Sequence, residues 1–391
     1  MKIMLLNFMK VVNSAGGAER VFCNMSNEFV KRNYDVYAVC CDWENGRPFY
    51  SLDDRVRFIN IDGSGIQTKF AKYLKFAREV LRLFKKVSND NPYDNEKNRY
   101  WSTKLEPVIN EIKPDIIVAY DLQSVCILKN ILSIKIPVIA MIHSNVHIMF
   151  DMNISNYELS ALNKVNCVQV LLNSDKNIAN NYLKVPVVQI PNVVPQFNKS
   201  ANLLNQKEFY KITFIGRLDK NVKRPDILID AFLLLLKEFN NWRVEIWGGI
   251  EDKKYYDSLQ NKIKKNNAEN RIKLCGVAKD VPNILFNSDI FAFTSSNEGF
   301  GLSLAEAMSA GLPCIGFKSC AAINELVQNN KIGILTEDGI AAFAEGLKKL
   351  MNNKDLRIKL GAAAKESMKK YEDVKIWDKW EMLINKVAGE K

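Results

Sequence analysis

The sequence predicts an α/β protein with two Rossmann-like, doubly wound domains that face a cleft. With 391 residues and 47% hydrophobic content, the chain is too long for one compact core and has enough apolar side chains to build two. Short apolar β-type runs alternate with helical patterns almost throughout, which is typical of parallel sheets with right-handed crossovers. A stretch from Pro191 to Lys207 separates two such series and is expected to be a hinge and linker.

Each series contains its own predicted strands. The first has strands near 2–8, 35–41, 56–61, 115–119, 137–142, 167–172 and 187–190. The second has strands near 211–215, 243–247, 271–275, 290–294, 313–317 and 332–335. We therefore place one domain at 1–195, a second at 196–370 and, at 371–391, a C-terminal helix that packs back toward the first domain. The polar, asparagine-rich stretch 87–104 is expected to be a mobile loop.

Composition and charge narrow the function classes. Lysine and arginine number 55 against 44 acidic residues, and the net charge of +11 suits phosphorylated ligands, anionic lipid or nucleic acid. The sequence has no zinc-ligand spacing or aromatic ribonucleoprotein motif, which argues against nucleic acid. The eight cysteines contain no Cys-x-x-Cys pair and are expected to be core residues of a reducing compartment. No apolar run is long enough for a signal peptide or a membrane span, so we expect a cytoplasmic protein, with peripheral contact at the inner face of the cell membrane left open.

Ligands of open parallel sheets bind beyond the carboxyl ends of the strands, so the loops that follow strands hold the candidate residues. After the first strand, Gly16 and Gly17 open a helix that runs to about Lys31, and the amides of a helix N-terminus favour phosphate. A plain β-to-α turn is the alternative. The Gly-x-Gly-x-x-Gly pattern is absent, which argues against a dehydrogenase.

A histidine ends the apolar strand near 137–142. His143 is one of only two histidines, and its position suits a hydrogen bond to a sugar or to a developing charge. The alternative is a histidine at the rim of the sheet with no role in binding. His147 would form a metal pair with it only on a continuing helix, which the pattern does not favour.

Two further loops carry charge. The strand that ends at Gly216 runs into Arg217, Lys220, Lys223 and Arg224, and such cations can stabilise a departing diphosphate. A solvated charge run is the alternative.

The loop after strand 290–294 contains Glu298, and the next helix contains Glu306. We expect Glu298 to accept hydrogen bonds from sugar hydroxyls, Glu306 to bind two ribose hydroxyls, and the amides around Phe300, Gly301 and Leu302 to hold phosphate. Two other interpretations are a capped helix with chance acids and a glycosidase carboxylate pair. The position of Glu306 inside a helix built for packing argues against the pair.

A metal is not expected at this site. The sequence has no Asp-x-Asp motif, and Asp42-Trp-Glu44 is only a distant substitute. Lysine and arginine already supply the positive charge that a divalent ion would bring to the phosphates. We also expect no cofactor. The predicted contacts to a diphosphate, a ribose and a sugar would bind a nucleotide sugar, which is a co-substrate.

Taken in this order, these motifs resemble the GT-B retaining glycosyltransferases of family 4, which act in bacterial polysaccharide and glycolipid synthesis. The resemblance covers both domains and rests on Glu298 and Glu306 with seven residues between them, supported by four other elements. These elements are Gly16 to Arg20, Gly216-Arg-Leu with Lys223, Gly248-Gly249, and Gly276-Val-Ala-Lys-Asp280.

The resemblance implies roles for individual residues. Arg217 and Lys223 would bind the diphosphate and Val277 the base through backbone atoms. His143 would lie near the hydroxymethyl group of the sugar. Transfer would retain the anomeric configuration without a metal, and the leaving phosphate oxygen would help to deprotonate the acceptor hydroxyl. Arg224, in place of the usual glycine, and Ser319 to Glu325, in place of a Gly-x-Pro-Glu-type turn, leave the donor open.

We therefore expect a hexosyltransferase with an acceptor-binding first domain and a nucleotide-sugar-binding second domain. It would move a hexose or N-acetylhexosamine from a nucleotide sugar, with a UDP-sugar favoured, to a saccharide acceptor that is lipid-linked. A GDP-sugar-dependent mannosyltransferase, a nucleotide-sugar epimerase on a related scaffold and a non-catalytic binding subunit are the alternatives. The scarcity of histidine argues against the epimerase.

The segment 69–86 is the candidate for contact with an anionic membrane surface. It carries seven basic residues and one acid. On a helix, one stripe would contain Phe70, Leu74, Ala77, Leu81 and Phe84, with cations opposite. The alternative is that this stripe faces the core of the protein.

Overall fold

A computed structural model of the chain describes residues 1–14, 16–42, 44–61, 69–84 and 91–389. It divides into two compact units. Unit 1 contains Met1–Pro191 and Trp377–Lys391, and unit 2 contains Asn192–Ile376. The divisions predicted from the sequence were at 195 and 371. No helix among the described residues is both long enough and apolar enough to span a membrane.

Unit 1 is built on a seven-stranded parallel sheet with the order β3-β2-β1-β4-β5-β6-β7. Its strands are β1 (Lys2–Asn7), β2 (Asp35–Cys40), β3 (Arg57–Asn60), β4 (Ile116–Ala119), β5 (Val138–Met141), β6 (Cys167–Val170) and β7 (Val187–Gln189). Strands β4 and β5 are apolar and buried along their length, as expected when helices cover both faces of a parallel sheet. All seven predicted strands are confirmed.

Unit 2 has a six-stranded parallel sheet with the order β10-β9-β8-β11-β12-β13. Its strands are β8 (Tyr210–Ile215), β9 (Trp242–Trp247), β10 (Ile272–Gly276), β11 (Ile290–Phe293), β12 (Cys314–Phe317) and β13 (Ile334–Thr336). The six predicted strands are confirmed. In both sheets the strand order reverses beside the first strand, which is the doubly wound arrangement that the sequence predicted.

Helices surround the two sheets. Those that follow the strands of unit 1 are α1 (Gly17–Lys31), α2 (Lys69–Phe84), α3 (Pro92–Ile112), α4 (Leu122–Cys126), α5 (Val146–Ile148), α6 (Asn156–Leu162) and α7 (Asn173–Ala179), with π-helical turns at Ile127–Ile131 and Met149–Asn153. Those of unit 2 are α8 (Pro225–Leu235), α9 (Lys253–Lys265), α10 (Val281–Phe286), α11 (Leu302–Ser309), α12 (Ala321–Leu326), α13 (Ile340–Asn352) and α14 (Lys354–Met368), with a 3-10 turn at Lys369–Tyr371.

The prediction of a mobile loop over 87–104 is wrong for most of that stretch. Helix α3 begins at Pro92, and the Asn91 side chain caps it by accepting from the Asp94 amide at 3.1 Å. The helix buries Trp101 and Leu105 against the sheet. A helix needs only one apolar face to pack in a protein. The average composition of this polar stretch does not reveal that face. Residues 87–90 lie outside the described part of the chain.

The stretch 196–207, expected to be a linker, packs closely on unit 2. The Ala201 amide donates to the Ala310 carbonyl at 2.7 Å, and the Lys365 ammonium donates to the Ser200 hydroxyl at 2.8 Å. Its polar composition therefore reflects hydrogen bonding to this unit.

The last helix, α15 (Asp373–Ala388), belongs to unit 1 from Trp377 onward, and aromatic and charged side chains of this part contact the rest of that unit. Trp380 is 2% exposed, and Trp377 packs edge-on against Phe29. The Arg32 guanidinium pairs with Asp378 at 2.8 Å and with Glu381 at 2.5 Å. An Arg side chain with two carboxylate partners fixes the position of this helix more precisely than apolar packing alone would.

Candidate active site

Two loops at the carboxyl edge of the unit 2 sheet are hydrogen-bonded to each other. They follow β8 and β11, which are neighbours in the sheet. The Ser296 amide donates to the Val222 carbonyl at 2.8 Å, and the Thr294 hydroxyl donates to the Lys223 carbonyl at 2.7 Å. These bonds hold residues 217–224 and 294–301 in a fixed relation, because each loop satisfies backbone groups of the other.

The side chains of Lys223 and Glu298 form an ion pair across these two loops. Both are well shielded, with 15% and 13% of the side chain exposed. The Lys223 ammonium also lies 5.7 Å from the centre of the Phe293 ring. The structure thus brings together the predicted phosphate cation and the predicted sugar-binding acid, in a place where charges interact more strongly than in open water.

Arg217 lies at the same edge of the sheet but has a different partner. Its guanidinium pairs with Glu251 at 2.6 Å, and both side chains are largely exposed. Glu251 is in the loop after β9, the other neighbour of β8. Sequence reasoning missed Glu251, because only the sheet order reveals that these two loops are adjacent.

Glycines 216 and 248 lie where two backbones approach closely. A Cβ atom at Gly248 would stand 1.9 Å from the Gly216 carbonyl oxygen. The Gly216 amide donates to the Trp247 carbonyl at 2.9 Å, and this bond holds the two strand ends together. The packing of the protein itself therefore requires a glycine at position 248, and the predicted ligand contact of both residues stays a prediction.

Two exposed apolar side chains follow the neighbouring strands β9 and β10. Val277, the predicted base-contacting residue, is 54% exposed and comes directly after Gly276, whose φ of +74° is left-handed. Ile250 is 51% exposed after β9, and sequence reasoning missed it. Exposed aliphatic side chains at the carboxyl edge of a parallel sheet suit contact with a flat ring.

Helix α11 begins after a glycine in the left-handed region. Gly301, at φ +82°, is its N-cap and offers no side chain to the first amides, which include that of Leu302. Phe300 is 3% exposed and packs edge-on against Tyr371. Glu306 is 5% exposed within the helix. The predicted contact of Glu306 with ribose hydroxyls stays a prediction.

Arg224 occupies a backbone conformation that favours glycine. Its φ is +49°, and it is the N-cap of α8. This explains why the resemblance leads one to expect glycine here, because a Cβ atom strains the left-handed region. The side chain compensates: its Nε donates to the Thr294 carbonyl at 3.0 Å, and the guanidinium lies 4.9 Å from the Phe317 ring centre. Arg224 therefore ties β8 to β11 and β12.

In unit 1, His143 lies just beyond the end of β5, as predicted. Its ring stacks on Tyr120 with centroids 5.3 Å apart. Burial lowers the pKa of His143 to about 4, so the imidazole is neutral near pH 7. Its Nε2 atom is buried and has no hydrogen-bond partner among the described residues. Such an atom costs free energy that a ligand hydroxyl could recover.

The N-terminus of α1 already has an anion beside it. A Cβ atom at Gly16 would stand 2.0 Å from a carboxylate oxygen of Glu19, so that side chain folds back over the glycine. The Ser14 hydroxyl donates to the other Glu19 oxygen at 2.9 Å. The acid thus takes the position that the sequence assigned to a phosphate at Gly16 and Gly17. Phosphate contact at this helix remains a prediction.

Asp42 and Glu44 hold the loop between β1 and α1. The Asp42 carboxylate is buried and accepts from the amides of Val11 and Val12 at 2.8 and 2.7 Å. Glu44 accepts from the Lys10 ammonium at 2.6 Å. These acids have structural partners. Within the described ranges, no three His, Cys, Asp or Glu side chains converge as metal ligands.

Comparison with known proteins agrees with this fold. The family model described as glycosyl transferases group 1 matches residues 195–367, and the model described as glycosyltransferase family 4 matches residues 15–196. The two matches overlap at residues 195–196 and together cover residues 15–367.

Relatives and solved structures extend along the whole chain. An uncharacterized glycosyltransferase of Haemophilus influenzae is 23% identical over 96% of this chain and 98% of its own. The GalNAc-alpha-(1->4)-GalNAc-alpha-(1->3)-diNAcBac-PP-undecaprenol alpha-1,4-N-acetyl-D-galactosaminyltransferase of Campylobacter jejuni is 22% identical over 99% of this chain and all of its own.

Among solved structures, a TarM variant from S. aureus in complex with Fondaparinux, alpha-GlcNAc-glycerol and UDP superposes with a TM-score of 0.76. It is 20% identical and covers 98% of this chain and 100% of its own. At that identity the likeness establishes the fold, and the two family models establish the class of enzyme. This chain therefore belongs to the family 4 glycosyltransferases and has the GT-B fold.

Proposed function

We propose that this enzyme transfers a hexose or N-acetylhexosamine from a UDP-sugar to a lipid-linked saccharide, with retention of the anomeric configuration and without a metal. The observation that carries the proposal is the shielded ion pair between Lys223 and Glu298 at the carboxyl edge of the unit 2 sheet. In such a pair, the cation can exchange the carboxylate for an anionic group of a ligand. The carboxylate can exchange the cation for a hydrogen-bond donor of the ligand.

A nucleotide sugar offers both kinds of group next to each other. Its diphosphate would compete with Glu298 for the Lys223 ammonium, and hydroxyls of the sugar would replace the ammonium as donors to Glu298. Charge-assisted hydrogen bonds of this kind are about twice as strong as neutral ones. The site therefore need not bury an unpaired charge either before or after the donor binds.

The other residues are assigned on the same basis: cations and backbone amides bind the phosphates, and carboxylates bind hydroxyls. We assign the diphosphate to Lys223, Arg217 and the amides at the start of α11, where Gly301 leaves room for close approach. We assign the ribose hydroxyls to Glu306 and the base to the apolar surface at Val277. The buried Nε2 atom of His143 would form a hydrogen bond with a hydroxyl of the transferred sugar, since that atom has no other partner in the described chain.

In the reaction, the anomeric carbon exchanges its bond to the diphosphate for a bond to the acceptor. The bond from this carbon to the phosphate oxygen breaks, and a bond to the acceptor oxygen forms on the same face. The acceptor proton passes to the departing phosphate oxygen. Lys223 would contribute most as negative charge grows on the diphosphate, and a preorganised charge of this kind typically contributes about 10²–10³ in rate.

The acceptor follows from chemistry and from a relative. The name of the C. jejuni relative describes a saccharide on undecaprenyl diphosphate as the acceptor of that protein. We propose an acceptor of the same class, a saccharide linked to a polyprenyl diphosphate, used by a cytoplasmic enzyme at the inner face of the membrane. Peripheral contact through 69–86 belongs to this proposal, because a lipid-linked acceptor is confined to the bilayer.

The test is donor binding by the purified chain. UDP-glucose, UDP-galactose, UDP-GlcNAc, UDP-GalNAc and GDP-mannose are added in turn, and the shift in melting temperature is measured, because a ligand that binds only the folded state raises it. We expect one UDP-sugar to raise the melting temperature most. Lys223→Ala should abolish the shift, whereas Lys264→Ala, at an exposed lysine of α9, should retain it.

Transfer is then measured as UDP release with the selected donor and a polyprenyl-linked saccharide. NMR of the product should show the anomeric configuration of the donor, and EDTA should leave the rate unchanged. A response to GDP-mannose alone would replace the donor in this proposal. An inverted product or a requirement for a divalent ion would refute the mechanism.

A further inference from the structure

Helix α2 lies outside the layer of helices that covers the unit 1 sheet. It packs mainly on α3, which in turn buries its apolar face against the sheet. The Arg78 guanidinium donates to Asp94 of α3 at 3.0 Å and lies 4.4 Å from the Tyr93 ring centre. These contacts define which side of α2 faces the protein, because Arg78 is only 13% exposed.

The apolar stripe predicted for this helix lies largely on this inner side. Leu74 and Ala77 are half-buried, although Leu81 is 46% exposed. The side chains of Phe70 and Phe84 lie outside the described part. Packing on α3 therefore accounts for part of this stripe, as the alternative interpretation held.

A second apolar face lies on the outer side and was missed from the sequence. Tyr73 is 66% exposed, Phe76 is 69% exposed and Val80 is 37% exposed. At about 100° per residue these three positions fall within roughly 60° of the helix circumference. Large exposed side chains that occur singly need no explanation, but an aromatic pair on adjacent turns with an aliphatic neighbour forms a patch.

Positive charge borders this patch. Lys72 and Lys75 are exposed on the adjoining side of the helix. The one acid of the helix, Glu79, is already paired with Arg78 at 2.8 Å. The patch therefore presents aromatic rings beside cations, which is the pattern of helices that lie in the plane of a membrane interface.

We propose that the outer face of α2, formed by Tyr73, Phe76 and Val80 with Lys72 and Lys75 beside it, docks on the surface of an anionic lipid bilayer. The rings enter the boundary between headgroups and acyl chains, and the lysines contact anionic headgroups. Charge complementarity favours a bilayer over a second copy of this chain, since two copies would bring the same lysines together. The inference deepens the proposed function, because it names the face that reaches the membrane of a lipid-linked acceptor.

The test uses the full chain and vesicles that contain no saccharide. Flotation compares vesicles of phosphatidylcholine with vesicles that also contain phosphatidylglycerol. We expect wild type to float with the anionic vesicles and bind neutral ones more weakly. Tyr73→Ser and Phe76→Ser should each bind at least about tenfold more weakly, because a ring no longer leaves water. Lys72→Glu with Lys75→Glu should remove the preference for anionic lipid.

Matched controls separate this face from general effects of polarity and charge. Leu234→Ser changes a residue of α8 that is 65% exposed, and it should bind vesicles as wild type does. Lys264→Glu with Lys265→Glu makes the same charge change on exposed lysines of α9 and should retain most binding. Circular dichroism and unfolding midpoints confirm that each variant is folded.

Three outcomes would overturn the inference. Wild type could remain below the vesicles, Phe76→Ser could bind as tightly as wild type, or Phe76→Ser could convert a dimer into a monomer, which would make a second copy the occupant. Because these vesicles contain no acceptor and no donor is added, none of these results tests sugar transfer. Conversely, failure of transfer with a water-soluble acceptor would leave vesicle binding unaffected.

Discussion

Lys223 and Glu298 are 75 residues apart in the chain, yet their side chains meet as an ion pair at one edge of the unit 2 sheet. The pair exists because β8 and β11 are adjacent and because hydrogen bonds between their following loops fix both backbones. Each charge neutralises the other, so the removal of one leaves a shielded charge without its partner.

Glu298→Ala and Lys223→Ala should each lower the transfer rate by about 10²-fold or more, because a group that binds the reacting sugar or its leaving diphosphate is lost. UDP release measures this change. Each single variant should also lower the free energy of unfolding by about 1–3 kcal/mol, whereas the double variant should be less destabilised than the sum of the two. Lys264→Ala, at an exposed lysine of α9, is the control and should change neither quantity. Additive effects in the double variant would show that the pair is not coupled.

Arg224→Gly should be more stable than Arg224→Ala. Both variants lose the contacts with Thr294 and Phe317, but only glycine relieves the strain of φ +49°. The difference in free energy of unfolding should be about 1 kcal/mol. Urea denaturation of the two variants measures it.

Gln260 is the control position, where the order of stability of the glycine and alanine variants should be reversed. It is an exposed residue inside α9, where glycine should be less stable than alanine by about 1 kcal/mol. If glycine were also the less stable residue at position 224, the left-handed conformation would not be a source of strain.

Asp42→Ala should be destabilised by about 2–4 kcal/mol, because the amides of Val11 and Val12 would lose their acceptor inside the protein. Glu44→Ala removes a more exposed pairing with Lys10 and should cost less than about 1 kcal/mol. Guanidinium denaturation of both variants tests the difference. Equal effects would mean that Asp42 does not anchor the loop.

The stability of the protein should depend on pH through His143. Its pKa is about 4 in the folded protein and near the ordinary 6.5 when unfolded, so between these values the unfolded state binds more protons. The stabilisation is therefore complete above pH 6.5 and is lost as the pH falls toward 4. We expect a loss of roughly 1–3 kcal/mol over this range.

Unfolding midpoints between pH 4 and 7 measure the effect. His143→Gln should flatten the dependence, because glutamine does not titrate. Parallel curves for wild type and His143→Gln would contradict the assigned burial of this imidazole.

The order of apolar runs and glycines in the sequence was sufficient to predict the two parallel sheets and the residues at their carboxyl edges. The periodicity that predicts strands and helices is a local property of the sequence. In a parallel sheet the carboxyl ends of the strands lie at one edge, independently of how the side chains pack. For this reason the amino-acid order alone places Glu298, Lys223 and His143 at strand ends. Helix α3 was missed because its buried face is hidden in a polar average.

Pairwise relations were decided only by the tertiary structure. Arg217 pairs with Glu251, Glu19 covers Gly16, and α2 has one apolar face on α3 and another facing outward. Each depends on which loops or helices become neighbours and on the direction of individual side chains. Those are set by packing between segments far apart in the chain, for which periodicity along the sequence contains no signal.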